Sequence, residues 1–257
     1  MIWGETEVMD IEKIRALRTA NPIHFFESIG STMIEAASLA EAGAPHGTVV
    51  LADEQSAGIG RLGRSWLSPA GAGIYCSILL RLKLAPASSP IASLLVGLAA
   101  ADAIQKTTNL LCDLRWPNDV LIGERKVAGI LTQLINDCVI AGIGINVNQL
   151  GFPRDLRTPA TSLRMECNGR EQAREPLIIQ LLESVESFCD KLWSEGVKGI
   201  LRAFSAASSY ARHRRVIVEE SGAHGTTNGL DENGFLLIRF DDGQMQRLAT
   251  GGVRPAP

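Results

Sequence analysis

The sequence predicts an α/β (α+β) chain, with strands and helices alternating over most of its length and a small all-β unit at its C-terminal end. Three observations predict it. Apolar runs of strand length, such as Thr48 to Gln55 and Val139 to Val147, alternate with segments of helical pattern. After Arg215 the composition changes to short β-type runs separated by Ser221-Gly222, Asn233-Gly234 and Asp242-Gly243. Directly behind the strand at Thr48–Gln55 lies Gly58-Ile-Gly-Arg-Leu-Gly-Arg64, a loop too glycine-rich to continue either pattern.

Taken in order, Met9 to Ala20 has helical spacing and stops at Asn21-Pro22, and His24 to Phe26 reads as a strand. Thr32 and Glu35 have the spacing of a capping box, so a helix is expected from there to Ala42, ended by Gly43. Strands are expected at Thr48–Gln55, Ile74–Leu84 and Cys112–Trp116, with a buried helix over Ile91–Thr107. Val120 to Lys126 reads as a hairpin turning at Gly123, and Val127–Ile135 pairs with Val139–Val147 across Asn136-Asp137. A polar connection, 151–174, leads to helices at Pro176–Trp193 and Lys198–Tyr210. The strands Val216–Val218, Phe235–Phe240 and Met245–Ala249 suggest a small β-barrel of roughly 45 residues.

Bulk properties narrow the function. A chain of 257 residues, 46% hydrophobic, supports one large core, or a main domain with a satellite. A net charge of −3 gives no basic field for nucleic acid. The acidic start lacks the basic region of a secretory signal, and the apolar run Ile91–Ala101 is too short to span a bilayer. Five scattered cysteines without a CxxC pair fit reduced core residues of a cytoplasmic protein. The four histidines lack metal-ligand spacing, so no protein-held metal is expected.

Several polar clusters remain. Glycines in the 58–64 loop let the backbone approach a ligand and turn N–H groups toward an anion, and Arg61 and Arg64 add planar forks for phosphate or carboxylate. Neither a phosphate-binding Gly-Lys-Ser/Thr nor a helix-opening dinucleotide fingerprint is present. Ser31-Thr32 opens a helix as a cap or as a pair of ligand-facing hydroxyls. Gln55, at a strand end, has the paired donor and acceptor that can read a ureido or amide edge, unless it simply faces solvent. In Arg115-Trp-Pro-Asn-Asp119, Pro117 fixes a turn presenting Asn118 and Asp119, suited to a ribose or a magnesium-bound phosphate, or an ordinary Asn-Asp turn. Lys126 is a point charge for a reacting carboxylate and phosphate, or a solvated hairpin lysine, with Gly129 permitting close approach beside it. Gly142-Ile-Gly-Ile-Asn146 suggests a strand against which something packs, with Asn146 able to hydrogen-bond it.

In this order the clusters resemble the biotin–protein ligase family. The matching elements are Gly30-Ser31-Thr32, Gln55-Ser-Ala-Gly58, Gly60-Arg61-x-Gly63-Arg64-x-Trp66, Arg115-Trp-Pro-Asn-Asp119, Lys126-Val-Ala-Gly-Ile-Leu131 and Gly142-Ile-Gly-Ile-Asn146, and the likeness covers residues 21–257. It implies a mixed β-sheet flanked by helices, like that of class II aminoacyl-tRNA synthetases, with a small C-terminal β-barrel. The expected organisation is an N-terminal extension (1–20), a ligase domain (21–211) and the barrel (212–257). The implied reaction joins biotin to MgATP as biotinyl-5′-AMP, then transfers biotin to a lysine of a carboxylase's biotin carboxyl carrier domain. Lys126 and Arg61 would be catalytic. Ser31, Thr32, Gln55, Gly58, Gly60, Arg61, Lys126 and Gly129 would line the biotin site, and Arg64, Trp66, Asn118, Asp119 and Asn146 the nucleotide site.

Two positions depart from the family's pattern: Ile59 replaces an arginine of the usual Gly-Arg-Gly-Arg, and Met33 an asparagine after Ser-Thr. They keep a non-catalytic biotin-binding protein in view beside the ligase, with a lipoyl or octanoyl ligase as a further alternative. About 20 residues precede the likeness, below the roughly 40 of an independently folding unit. The chain therefore resembles the short class that has no DNA-binding domain, as a monomer or homodimer, with no nucleic acid or membrane partner.

Overall fold

In the computed structural model, residues 9–17, 21–85, 88–153 and 155–256 are described. The first eight residues of the expected N-terminal extension, and residues 18–20 of the helix expected there, lie outside them; that helix, α1, is described over Ile11–Leu17.

Seven strands form one sheet in the order β1-β2-β3-β7-β6-β5-β4. They are β1 (Ile23–Ile29), β2 (Val49–Gln55), β3 (Gly73–Leu80), β4 (Asp113–Arg115), β5 (Asp119–Ile122), β6 (Arg125–Ile135) and β7 (Cys138–Asn146). Only β1 and β2 run parallel, because α2 (Thr32–Glu41) carries the chain between them; the other pairs are antiparallel. The mixed sheet expected from the resemblance is therefore present.

Alternation along the strands sends one set of apolar side chains to each face. Leu51, Cys76, Ile78, Ile143 and Ile145 join a large core with α3 (Ser89–Thr108) and α5 (Arg174–Ala207), whereas Val50, Leu79 and Ile140 pack against Met33, Ala36 and Ala40 of α2. The two helices expected over 176–210 follow one another without an intervening loop as α5, broken at Gly196, where φ is +69°. A buried ion pair, Arg174 Nη1 to Asp53 Oδ1 at 2.6 Å, fixes the start of α5 to β2. A single turn of helix, α4 (Leu163–Glu166), lies in the connection after β7. The strand expected to run to Leu84 ends at Leu80.

The C-terminal unit is a five-stranded antiparallel sheet ordered β11-β10-β9-β8-β12. Its strands are β8 (Arg212–Val218), β9 (His224–Leu230), β10 (Leu236–Phe240), β11 (Met245–Leu248) and β12 (Val253–Pro255). The all-β unit is as expected, though β11 and β12 remain edge strands that do not pair with each other, so the ladder does not close into a barrel. β9 and β12 escape the sequence reading for a physical reason. His-Gly-Thr-Thr-Asn-Gly-Leu has little apolar content, and Val-Arg-Pro is short and proline-ended.

Candidate active site

The face of the main sheet beyond α2 is bare because its side chains are missing. Gly129 on β6 lies opposite Gly144 on β7, and Gly142 lies opposite Leu131 and Ser77. Onto this shelf the loop after β2 lays the indole of Trp66. A Cβ on Gly144 would collide with Trp66 Cε2, so the ring rests directly on the backbone there. The loop itself is an ordered flap. Gln55 bridges Ser68 and Ile59 bridges Ser65, and Arg61–Gly63 form a short 3₁₀ turn at the tip. Gly58 is required for this folding, since a Cβ there would collide with Trp66 O, while the Trp66 N–H donates to Gly58 O at 2.8 Å.

Under the flap is a cavity of about 50 Å³ with a polar and an apolar end. The polar end is a hydrogen-bond chain. Ser77 Oγ donates to Thr32 Oγ1 (2.8 Å), Thr32 N and Oγ1 both donate to Gln55 Oε1 (2.8 and 3.1 Å), and Gln55 Nε2 donates to Ser68 Oγ (2.9 Å). Ser77 and Ser68 were not singled out in the sequence, where a lone serine, in an apolar strand or in a polar loop, carries no signal. The capping box is not formed. Helix α2 starts at Thr32, which makes Ser31 the N-cap, and Ser31 Oγ is buried with no partner among the described residues. Met33, Leu131 and Ile143 line the apolar end, and Ile59 also borders this cavity.

A second cavity of about 350 Å³ opens beside it. Gly60, Arg61, Trp66, Asn118 and Lys126 line both. At this junction Lys126 Nζ and Arg115 Nη2 each reach one oxygen of Asp119 at 2.5 Å. Burial alone would push the Asp119 carboxyl up, but the charges and hydrogen bonds of Lys126 and Arg115 hold it below the usual carboxylate range. Arg61 Nη1 donates to Asn118 Oδ1 and to Gly251 O, both at 3.0 Å, so one guanidinium ties the flap to the turn after β4 and to the C-terminal sheet. Burial lowers the Arg61 pKa from its ordinary value. Lys126 Nζ stands 5.3 Å from the Trp66 ring centroid.

The structure thus brings Thr32, Gln55, Gly60, Arg61, Arg64, Trp66, Asn118, Asp119, Lys126, Gly129 and Asn146 onto the walls of two joined cavities. Gly58 and Ser31 stand one step behind, in the flap hinge and at the helix cap. Asn118 and Asp119 are engaged within the protein, and Asn146 Nδ2 donates to Thr161 O at 3.0 Å, pinning the segment after β7.

Comparison with known proteins places this arrangement. Residues 25–149 match the Biotin/lipoate A/B protein ligase family. The chain is 35% identical over 223 residues to the bifunctional ligase/repressor BirA of Bacillus spizizenii, covering 84% of this chain and 68% of that one. It is 32% identical over 231 residues to the biotin–[acetyl-CoA-carboxylase] ligase of Paracoccus denitrificans, covering 83% and 92%. The Aquifex aeolicus biotin protein ligase solved with biotin and ATP superposes with a TM-score of 0.78 at 31% identity, over 91% of this chain and 99% of that one. The fold is that of a ligase. The chain belongs to the biotin protein ligase family.

Proposed function

We propose that the protein activates biotin with ATP and transfers the biotinyl group to a lysine of a biotin carboxyl carrier domain. The observation that carries this reading is the junction, where Lys126 and Arg61 line a small half-polar cavity and a larger cation-rich one at once. The small cavity suits the biotin ring system, with the Thr32–Gln55 network at its ureido edge. The larger one suits the nucleotide.

In the first step a carboxylate oxygen of biotin attacks the α-phosphorus and pyrophosphate leaves. Two anions must meet, so fixed cations at the meeting point dominate the rate. Lys126 and Arg61 supply them, and Arg64 borders the same cavity. Asp119 orients the Lys126 ammonium while the site waits, and the substrate carboxylate and phosphate then compete for it. In the second step the neutral amine of the acceptor lysine attacks the anhydride carbonyl and AMP leaves. Among the described residues no three His, Cys, Asp or Glu side chains gather to hold a metal ion. Mg²⁺ enters with the ATP phosphates as part of the substrate, as suits a cation that keeps its waters.

A lipoyl or octanoyl group has no ureido edge for the Thr32–Gln55 network to read. A purely binding protein could also use these cations to hold an anionic ligand, so turnover is what separates it from a ligase. The five cysteines described are unpaired thiols, which supports a cytoplasmic setting, and among the described residues no helix is long and apolar enough to cross a membrane. Incubation with ATP, a carrier domain and either biotin or lipoate, followed by pyrophosphate assay and acceptor mass, tests the reading. Biotin-dependent pyrophosphate with a biotinylated acceptor is the expected result. Lipoate dependence, or binding without turnover, would replace it.

A further inference from the structure

Two carboxylates line the larger cavity, Asp119 and Glu219. Asp119 has both oxygens occupied by cations. Glu219 is different. It follows β8 in the C-terminal unit, its N–H donates to Gly252 O at 2.9 Å, and its carboxyl lies across Gly252. The side chain is 11% exposed, and among the described residues its one ion pair is with Arg157, whose Nη1 lies 3.3 Å from Oε2. Among the described residues Oε1 has no partner. A carboxylate oxygen that lines a ligand cavity and is left free by the ion pair is an acceptor open to a donor in that cavity.

The donor is constrained by charge. A carboxylate repels bare phosphate, and Arg61, Arg64 and Lys126 on the same walls are the groups suited to pair with the triphosphate. Arg61 donates to Gly251 O, the neighbour of the Gly252 across which the Glu219 carboxyl lies, so this carboxyl stands on the side of the cavity nearest the junction where the α-phosphate would lie. In a nucleotide the group next to the α-phosphate is the ribose, whose hydroxyls are donors of the kind that acidic side chains accept in other nucleotide sites. Building on the nucleotide reading of this cavity, we propose that Glu219 is a specificity-determining residue, supplied by the C-terminal sheet, that accepts hydrogen bonds from the ribose hydroxyls of ATP.

Pyrophosphate release with saturating biotin would be compared for ATP, 2′-deoxy-ATP, 3′-deoxy-ATP and inosine triphosphate, in the wild type, Glu219→Ala, Glu219→Gln and Arg157→Ala. A hydrogen bond to a charged acceptor predicts a preference for ATP over at least one deoxy analogue of about 10- to 100-fold in kcat/KM. In Glu219→Ala that ratio should fall toward one, through a higher KM for ATP with kcat little changed. Glu219→Gln keeps an acceptor oxygen and should retain part of the ratio. Arg157→Ala leaves the carboxylate in place and should retain it, because Arg157 is half exposed and its ion pair contributes little by itself. An equal ratio in the wild type and Glu219→Ala overturns the proposal. So does a change confined to the ATP-to-inosine-triphosphate ratio, which would assign Glu219 to the base amine. A wild type that releases no pyrophosphate from ATP and biotin would instead defeat the ligase reading on which the proposal rests.

Discussion

At the scale of single residues, the site is organised around one carboxylate shared by two cations. Lys126→Ala removes one of the two cations that line both cavities and are proposed to meet the reacting groups, and the expected loss is about 3–4 kcal/mol of barrier, or roughly 10²- to 10³-fold in adenylate formation. Its circular dichroism spectrum should match the wild type; near-normal pyrophosphate release would remove Lys126 from the mechanism. Asp119→Asn should act first on stability. It leaves Arg115, only 4% exposed, and Lys126 without a counter-charge, at a cost of roughly 3–5 kcal/mol. The sign with pH follows from the depressed folded-state pKa of Asp119. Its stabilisation is fully present above the unfolded value of about 4, and is lost as pH falls through the lower folded value. Denaturant titrations of both proteins should show a full stability gap at pH 7 and 5 that closes toward pH 3, and a gap that widens with acid would contradict the pairing.

At the scale of elements, the strand that carries the site is β7, whose glycines replace side chains with a surface. Gly144→Ala would place a methyl inside the Trp66 ring position. Forcing the indole to move should cost about 1–3 kcal/mol, seen as a rise of about tenfold in the KM for biotin. The control lies in α3, where a Cβ on Gly97 would meet only Leu114 Cδ2 at 3.8 Å. Gly97→Ala should stabilise the protein by about 0.5–1 kcal/mol in thermal unfolding without changing the KM for biotin. The contrast shows what was legible in the sequence. Gly142 and Gly144 stood out because two glycines interrupt an apolar strand, and the flap because glycine and arginine alternate in it. The Asn136-Asp137 and Gly123 turns could be read because Asn136 (φ +54°) and Gly123 (φ +61°) sit in backbone conformations that those residues favour. The Thr32–Gln55–Ser68 chain could not, since its members come together only when β2, α2 and the flap fold. Nor could the partners of Arg61 and Glu219, which cross from the main sheet to the C-terminal sheet.

At the scale of the whole molecule, the question is whether the two sheets are two folding units. We propose the boundary near residues 211 and 212 as a change of sheet within one unit, and packing supports this. Val216, Val218, Leu236, Ile238 and Val253 of the second sheet belong to the same buried cluster as Ile91, Leu94 and Ile145 of the main body. Trp116 Nε1 donates across the seam to Gly234 O at 2.9 Å, and Tyr210 Oη donates to Glu124 Oε2 at 2.7 Å close to the boundary. About 45 residues at the lower limit of independent folding gain most of their burial from such a shared core. Differential scanning calorimetry should therefore show one transition with matching calorimetric and van't Hoff enthalpies. Trp116→Phe strips the donor from a buried carbonyl and should lower the midpoint of that single transition, by about 1–3 kcal/mol of stability, without splitting it. Two resolved transitions, with activity lost in the first, would mean that the C-terminal sheet melts off an intact main body. In that case Gly251 and Glu219 would reach the nucleotide cavity only as parts of a detachable lid.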